Sequence, residues 1–220
     1  MKLCFKILLL TFITFTSVNS CISQPVKDGE IHQLWLDCRL EKVVSFDVFK
    51  YAVTGLSKIQ KVKNRNLITI IDFSKPSTEK RFFVIDLKNK QLLYNCLVAH
   101  GKNSGDNTAT NFSNQSGSLK SSLGFYLTAE TCIGKHGFTL LLDGLEKGIN
   151  DKAREREIVI HGADYVSDAF IKKYGRLGKS WGCPALPVEI SKEIIEKISK
   201  GSCLFIYAAD DFYKKNSGFN

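Results

Sequence analysis

The stretch NLITIIDFSKPSTEKRFFVIDLKNKQLLYNCLVA, residues 66–99, contains three short runs that are rich in β-branched, aromatic and leucine residues. Such runs, bounded by charged and turn-forming residues, are typical of β-strands. We predict strands over residues 67–73, 81–87 and 91–99. Lys88-Asn89-Lys90 separates the last two runs and predicts a hairpin turn, in which Asn89 takes a positive φ.

The same strand pattern recurs further along the chain, and two helical patterns flank it. We predict further strands over residues 124–131, 138–142, 157–161 and 203–208. Apolar residues at helical spacing follow Ser45, a candidate N-cap, although Gly55 weakens that helix. A second helix, with isoleucines at 190, 194, 195 and 198, lies between Pro187 and Gly201. Strands outnumber helices, so we expect a mainly β (α+β) fold, a β-sandwich or half-open barrel with a few flanking helices.

The N-terminus has the pattern of a secretory signal peptide. Lys2 and Lys6 precede an apolar run over residues 7–15 that is too short to span a membrane, and small residues follow it. Cleavage before Cys21 and lipidation of Cys21 remain two open interpretations. We therefore expect export to the cell envelope (the periplasm), with a lipid anchor under the second interpretation.

The remaining chain is long enough for one core and shows no internal repeat. We divide the whole sequence into a signal peptide (residues 1–20), a lead-in segment (21–44) that is irregular up to residue 40, and a single domain (45–220). A polar stretch over residues 101–122 is of the length and composition that is either functional or disordered.

The chain is basic, with a formal net charge of +9. A basic exported protein suits polyanionic partners such as wall polymer or anionic lipid, although a merely solvated basic surface is favoured over any specific anion site. The basic residues are scattered and no aromatic-basic motif accompanies them, so we do not expect nucleic acid as a partner.

Five of the seven cysteines lie beyond the signal peptide and Cys21. Cys96 and Cys203 lie in apolar runs and are expected to be buried, whereas Cys38 and Cys132 have no distinctive neighbours. No CxxC pair is present, and disulfide pairing is left open. The odd number of thiols draws attention to Cys183, which Gly182 precedes and Pro184 follows.

Cys183 and His161 are the candidates for nucleophilic catalysis. Pro184 disfavours a helix at Cys183, and Gly182 leaves room for a substrate. Pro184 has no N–H, so an oxyanion hole must use the amides of Cys183, Gly182 or Trp181. A nearby histidine can convert the thiol into the attacking thiolate. The residues alone are equally consistent with a buried cysteine in a tight turn and a core histidine.

Two motifs, Ile160-His161-Gly162-Ala163 and Ser180-Trp181-Gly182-Cys183-Pro184-Ala185, resemble the signature of the murein L,D-transpeptidase catalytic domain family, in its secreted branch. The similarity covers residues 45–210. Other segments that resemble the family are 67–73, 84–87, 99–105, 112–114, 121–126, 134–137 and 142–145. The resemblance implies an L,D-transpeptidase-like β fold, peptidoglycan stem peptides as partners, no cofactor or metal, and a monomer.

The sequence departs from the wider family at two positions. Trp181 stands where a histidine is common, and Ala185 stands where an arginine is expected to help bind substrate. Arg176, upstream of the cysteine with Lys179, is our candidate replacement because its planar fork can hold a carboxylate through two hydrogen bonds. The predicted oxyanion and substrate-binding residues are thus Gly182, Trp181, Ser180 and Arg176.

The resemblance also implies a reaction. Cys183 forms a thioester with a stem peptide, His161 acts as its base, and the acyl group passes to an acceptor amine. Carbapenem-type β-lactams would acylate Cys183. Transfer to water would make the protein an L,D-carboxypeptidase. The alternatives outside this chemistry are a zinc hydrolase using His100, His136 and His161, and a non-catalytic wall-binding envelope protein.

Overall fold

The computed structural model describes residues 27–219, in which eight strands form one mixed sheet. In spatial order the sheet reads β3-β2-β1-β8-β4-β5-β6-β7, with β1/β8 and β6/β7 parallel and the other pairs antiparallel. The strands are β1 (Asn64–Asp72), β2 (Phe82–Asp86), β3 (Gln91–Cys96), β4 (Gly124–Gly134), β5 (Gly137–Gly144), β6 (Val159–Gly162), β7 (Ala185–Leu186) and β8 (Ser202–Tyr207).

The two ends of the sheet approach each other at β7. Ala99, which follows β3, donates its N–H to the carbonyl of Ala185 at 2.9 Å and accepts the Ala185 N–H at 3.3 Å. The sheet is therefore nearly closed into a barrel. This confirms the predicted mainly β fold, in the form of a half-open barrel rather than a sandwich.

Five helices flank the sheet among the described residues: α1 (Asp28–Asp37), α2 (Phe46–Lys58), α3 (Asp168–Tyr174), α4 (Val188–Ile198) and α5 (Asp211–Asn216). The two predicted helices are confirmed as α2 and α4. Ser45 caps α2, since its side chain accepts the Val48 N–H at 3.4 Å. Within residues 27–219, no helix has both the length and the apolar character needed to cross a bilayer.

Gly55, which weakens the helix prediction, is needed where α2 packs against the sheet. A Cβ at this position would lie 2.0 Å from the Phe125 ring of β4. Phe125 in turn stacks on Phe205 of β8, with ring centroids 4.3 Å apart. The close approach of this aromatic core explains why glycine is favoured here despite its cost to the helix.

The prediction of an irregular lead-in up to residue 40 is wrong for α1. Ile31 on this helix is buried and belongs to the main core, together with Leu40 and Val44 just after it. Trp35 Nε1 donates to the Val44 carbonyl at 2.8 Å, which ties the helix to the chain that follows it. The mixed composition does not predict this helix, because only Ile31 of α1 is buried and the helix is stabilised by tertiary packing.

The predicted hairpin between β2 and β3 is present, but its positive φ lies at Lys90 (56°) rather than at Asn89. The Asn89 backbone and side chain both donate to the Asp86 carboxylate, each at 2.9 Å. Asn89 therefore caps the turn through hydrogen bonds, and the next residue takes the left-handed conformation.

Candidate active site

The turn that carries Cys183 is held mainly by Ser180. Ser180 Oγ donates to the Cys183 carbonyl at 2.6 Å and accepts the Gly182 N–H at 3.1 Å. The Ser180 N–H donates to the His100 carbonyl at 3.0 Å, which anchors the turn on the segment after β3. Ser180, which we predicted to contact substrate, has its hydroxyl engaged within the turn.

Gly182 has a φ of 130°, a conformation that side-chain-bearing residues rarely adopt. A Cβ there would lie 2.9 Å from the Lys120 carbonyl oxygen and 3.0 Å from Ile158 Cδ1. The turn is therefore pressed against the polar stretch 101–122 on one side and the entry to β6 on the other.

The polar stretch 101–122 supports this turn from behind. Ser121 Oγ accepts the Gly101 N–H and donates to the Gly182 carbonyl, both at 3.0 Å. The Ser121 N–H donates to Ser104 Oγ at 2.8 Å, and both serines are buried. Of the two outcomes predicted for this stretch, the structure supports an ordered segment that positions the candidate nucleophile.

The Cys183 thiol lies beside the start of β6. Its Sγ accepts the Val159 N–H at 3.5 Å and donates to the Glu157 carbonyl at 3.6 Å. Burial raises the pKa of this thiol, while the Val159 amide, Lys135 and Arg156 act in the opposite direction. The thiol is accordingly neutral at pH 7 in this conformation.

His161 lies on β6, opposite Ala185 of β7, and its ring is fixed by a local contact. His161 Nδ1 lies 2.9 Å from the Gly162 carbonyl, so we place the proton on Nδ1 and the free lone pair on Nε2. Burial lowers the pKa of His161, which keeps the imidazole neutral near pH 7. A neutral imidazole with a free Nε2 can accept a proton.

Cys183, in the turn that precedes β7, and His161, on the adjacent strand β6, thus belong to one site, but they are not aligned for proton transfer. Within the described part of the chain, the thiol is bonded at Val159 and Glu157, and no hydrogen bond joins it to the imidazole. Catalytic hydrogen bonds are often unformed before substrate binds.

The tip of the β4–β5 hairpin covers this pair. The His136 ring stacks on the His161 ring with centroids 4.3 Å apart and planes inclined by 19°. Lys135 Nζ lies 5.6 Å from the centre of the Trp181 ring and 3.7 Å from the Glu157 carboxylate. Trp181 remains 71% exposed, so the predicted substrate-binding tryptophan forms an open rim of the site.

Arg176, the predicted carboxylate ligand, already has an acidic partner. Its Nε lies 3.0 Å from Asp106, and Lys179 contacts the same carboxylate at 2.7 Å. Arg176 also donates to the Leu177 carbonyl at 2.9 Å. Its role in binding substrate stays a prediction, and a substrate carboxylate would have to compete with Asp106.

Arg156 is a residue of this site that sequence reasoning missed. Its guanidinium lies between the Gly182 backbone and the polar stretch, where it donates to the carbonyls of Ser113 (2.7 Å) and Lys120 (2.6 Å). It sits in a charged segment, 150–157, that resembles an ordinary solvated turn. No motif in the sequence distinguishes it from its exposed neighbour Arg154.

The three histidines of the zinc alternative are not gathered in one place. His136 and His161 stack on each other, whereas His100 lies 2.8 Å from Arg81 Nη2 through its Nδ1. Among residues 27–219, no group of three histidine, cysteine or acidic side chains could hold a metal ion. The structure therefore offers no support for that alternative.

All five cysteines in the described part of the chain are free. Cys96 and Cys203 are buried as predicted, and burial raises the pKa of each thiol to about 12. Cys38 is also buried, and burial raises the pKa of its thiol to about 11. Cys132 is exposed on β4 and Cys183 is partly exposed, so these two thiols are the ones that reagents can reach.

Known protein families and solved structures show what this chain is similar to. The model of the L,D-transpeptidase catalytic domain family matches residues 40–207. An L,D-transpeptidase from Mycobacterium smegmatis is 12% identical with a TM-score of 0.40, over 65% of this chain and 59% of that one. A variant of the helical cell shape determining protein Pgp2 from Campylobacter jejuni is 16% identical with a TM-score of 0.44, over 73% and 56%.

An L,D-transpeptidase from Xylanimonas cellulosilytica is 10% identical with a TM-score of 0.36, over 80% of this chain and 93% of that one. The chain spans less than two thirds of the length of the mycobacterial and Campylobacter proteins. No curated protein matches it at a significant level.

Proposed function

The chain belongs to the L,D-transpeptidase catalytic domain family, and we propose that it is a monomeric cell-wall L,D-transpeptidase with Cys183 as nucleophile and His161 as base. One observation carries the assignment of these residues. Cys183 is partly exposed in a turn fixed by Ser180 and Ser121. This turn leads into β7, which pairs with the strand β6 that carries His161, a neutral histidine whose Nε2 is free.

In the first half-reaction, the Cys183 side chain rotates and gives its proton to His161 Nε2. The thiolate attacks the carbonyl carbon of the third stem residue, and a C–S bond forms. The amides of Cys183 and Trp181 stabilise the oxyanion, since the Gly182 amide is engaged by Ser180. The C–N bond to the terminal D-residue then breaks, and His161 protonates the departing amine.

In the second half-reaction, an amine of another stem attacks the thioester carbonyl and passes a proton to His161. The C–S bond breaks, the Cys183 sulfur leaves with its electron pair and is reprotonated, and a cross-link remains. Attack by water would instead release a tripeptide stem, which is L,D-carboxypeptidase activity.

Incubation with a tetrapeptide-stem muropeptide and mass analysis of the products tests this function. We expect a cross-linked dimer and a free D-amino acid from the wild type, and no product from Cys183→Ala. Cys132→Ala, which removes the other accessible thiol of residues 27–219, should retain turnover. Tripeptide alone would favour the carboxypeptidase. Unchanged muropeptide, with wall binding retained by Cys183→Ala, would favour a wall-binding protein.

A carbapenem provides a second probe that does not depend on the acceptor. The acyl adduct should map to Cys183 by peptide analysis, because Cys132, the other accessible cysteine of residues 27–219, hydrogen-bonds to Thr139 rather than to a histidine. An adduct on Cys132, or acylation that persists in Cys183→Ala, would contradict the assignment of the nucleophile.

We also propose that the protein is exported to the cell envelope. The signal-peptide pattern and Cys21 lie outside the described residues, so the proposal rests on Lys2, Lys6 and the apolar run after them. Fractionation should recover the mature chain in the envelope, and full-length protein in the cytoplasm would contradict export. If Cys21 carries a lipid, Cys21→Ala should release the chain in soluble form.

A further inference from the structure

Arg156 is held against the polar stretch by four hydrogen bonds. Nη1 donates to the Ser113 carbonyl at 2.7 Å and to Ser122 Oγ at 2.5 Å. Nη2 donates to the Lys120 carbonyl at 2.6 Å and to Ser118 Oγ at 3.3 Å. With these donors engaged, the guanidinium has no free pair of N–H groups with which to grip a substrate carboxylate.

The same guanidinium lies next to the residue that precedes Cys183. Arg156 Nη2 is 3.5 Å from the position that a Cβ of Gly182 would occupy. The thiol itself contacts the Glu157 carbonyl and the Val159 amide, which follow Arg156 in the chain. Glu157 has a positive φ of 53°, an unfavourable conformation for this residue that turns the chain at this point.

Arg156 has no carboxylate partner among the ion pairs of the described residues. Arg154, two residues earlier, differs in this respect because it pairs with Asp143 at 2.8 Å and with Glu130 at 2.7 Å. A half-buried cation without a counter-ion is costly unless its hydrogen bonds are satisfied. The carbonyl and hydroxyl acceptors satisfy them here but leave the positive charge uncompensated.

We propose that Arg156 is a positioning residue whose uncompensated charge stabilises the thiolate of Cys183 when His161 removes its proton. This inference rests on the proposed function, because it takes Cys183 as the nucleophile. Arg156 also hydrogen-bonds to Lys120 and Ser122 beside the turn that carries Cys183. The charge therefore stays at a fixed place while the thiol ionises.

Other titratable groups surround the thiol, so the test must separate their effects on its ionisation from the effect of Arg156. Lys135, on the β4–β5 hairpin, and Tyr165, in the segment after β6, interact with it electrostatically. Glu157 contacts it through its carbonyl from the turn before β6. The stacked rings of His136 and His161 belong to the same site, on the hairpin and on β6. Lys135 is the other cation, but its side chain is 62% exposed and lies 3.7 Å from the Glu157 carboxylate. Lys135 has the larger direct electrostatic effect on the thiol pKa, but solvent and its carboxylate partner screen this exposed cation, so we expect Arg156 to have the greater effect in solution.

The test is the pH dependence of iodoacetamide alkylation at Cys183, followed by peptide mapping. Arg156→Gln should raise the apparent pKa of the thiol by about one unit, which slows alkylation near pH 7 about tenfold. The rate at high pH, where the thiol is fully ionised, should not change. Arg156→Lys keeps the charge and should restore most of the rate, and Lys135→Gln should have the smaller effect.

Arg154→Gln is the matched control, since it removes an exposed and paired arginine from the same segment. It should leave the pH profile of Cys183 unchanged. A purely structural role for Arg156 would lower the thermal stability of Arg156→Gln and Arg156→Lys alike without moving the profile. That result, or an equal shift in Arg154→Gln, would overturn the proposal.

A second pair of variants covers the case in which Arg156→Gln does not fold. Ser118→Asp places a carboxylate within reach of Nη2 and compensates the charge, whereas Ser118→Asn leaves it in place. We expect the thiol pKa to rise only in Ser118→Asp, and equal profiles for the pair would contradict the proposal. Turnover by Cys183→Ala would instead refute the proposed function, so the two failures can be told apart.

Discussion

At the scale of single residues, the site depends on two glycines, Gly101 and Gly182, whose backbones pack too closely to leave room for a Cβ atom. The Cα of Gly182 lies 3.0 Å from the position that a Cβ of Gly101 would occupy, and Ser121 bridges the two backbones. The orientation of the Cys183 thiol therefore depends on residues that take no part in the chemistry.

Gly182→Ala should consequently reduce both activity and stability. The new Cβ meets the Lys120 carbonyl oxygen at 2.9 Å, and we expect kcat to fall at least tenfold with a loss of about 2–3 kcal/mol in the free energy of unfolding. Gly175→Ala is the matched control, because Gly175 also has a positive φ (73°) but has open space around it. It should cost about 1 kcal/mol, from backbone strain alone, and leave kcat unchanged.

Steady-state kinetics and urea unfolding of the two variants check this expectation. Equal losses of stability would mean that the positive φ, not the close packing of the turn, limits the substitution. Full activity of Gly182→Ala would show that the turn can shift without harm to the nucleophile.

The sequence indicates the candidate catalytic pair but not the residues that hold it. Cys183 and His161 stand out because each belongs to a short motif with glycine or proline beside it. Ser121 and Arg156 act through contacts with segments distant in the chain, and nothing local distinguishes them from other serines and arginines. Arg176 shows the opposite case: the sequence suggests a free substrate ligand, whereas its pairing with Asp106 cannot be inferred from spacing.

At the scale of elements, strands were predicted more completely than short helices. Alternating and β-branched runs anticipate β1 to β6 and β8, and strong apolar spacing anticipates α2 and α4. The helix α3 has no buried residue, and α1 and α5 have one each, so these helices carry almost no hydrophobic pattern. The two-residue strand β7 exists only because Ala185 and Leu186 pair with β6.

The β4–β5 hairpin is the element that contacts the candidate base, because His136 at its tip stacks on His161. His136 covers the His161 ring, and both this burial and the electrostatic effect of His136 lower the pKa of His161. In the proposed reaction His161 must be neutral to accept the thiol proton, so the acidic limb of the kcat/KM profile should lie below pH 6.5.

His136→Ala should move this acidic limb to higher pH, because it exposes His161 to water and removes the electrostatic effect of the neighbouring ring. His32→Ala, on the exposed surface of α1, should not move it. The measurement is kcat/KM between pH 5 and pH 8. An unchanged limb in His136→Ala would show that the hairpin does not control the ionisation of His161.

At the scale of the whole molecule, the closing point of the barrel also supports the turn that carries Cys183. Arg81 is fully buried and donates to the Val98 carbonyl from Nε (3.1 Å) and Nη2 (2.9 Å), just before the Ala99–Ala185 bridge. Its Nη2 lies 2.8 Å from His100 Nδ1, so this imidazole must be neutral to accept the hydrogen bond. The His100 carbonyl receives the Ser180 N–H, which couples closure of the sheet to the turn of Cys183.

This arrangement makes global stability depend on the protonation of His100. Burial, with Arg81 nearby, lowers the pKa of His100 to about 4, compared with about 6.5 in an unfolded chain. Between these values the unfolded chain binds more protons than the folded one, so the free energy of unfolding falls as the pH is lowered from about 6.5 to about 4. The loss that His100 contributes over this interval is about 3 kcal/mol.

His100→Gln isolates this contribution, because glutamine can still accept the Arg81 hydrogen bond but does not titrate. In urea unfolding at pH 7, 6, 5 and 4, the free energy of unfolding of the wild type, relative to that of the variant, should fall by about 3 kcal/mol toward pH 4. His161 adds a slope of the same sign and Glu146, whose pKa burial raises, one of the opposite sign, but both are common to the two proteins. His32→Gln should retain the wild-type slope; if His100→Gln also retains it, the link between Arg81, His100 and the closed sheet does not control acid stability.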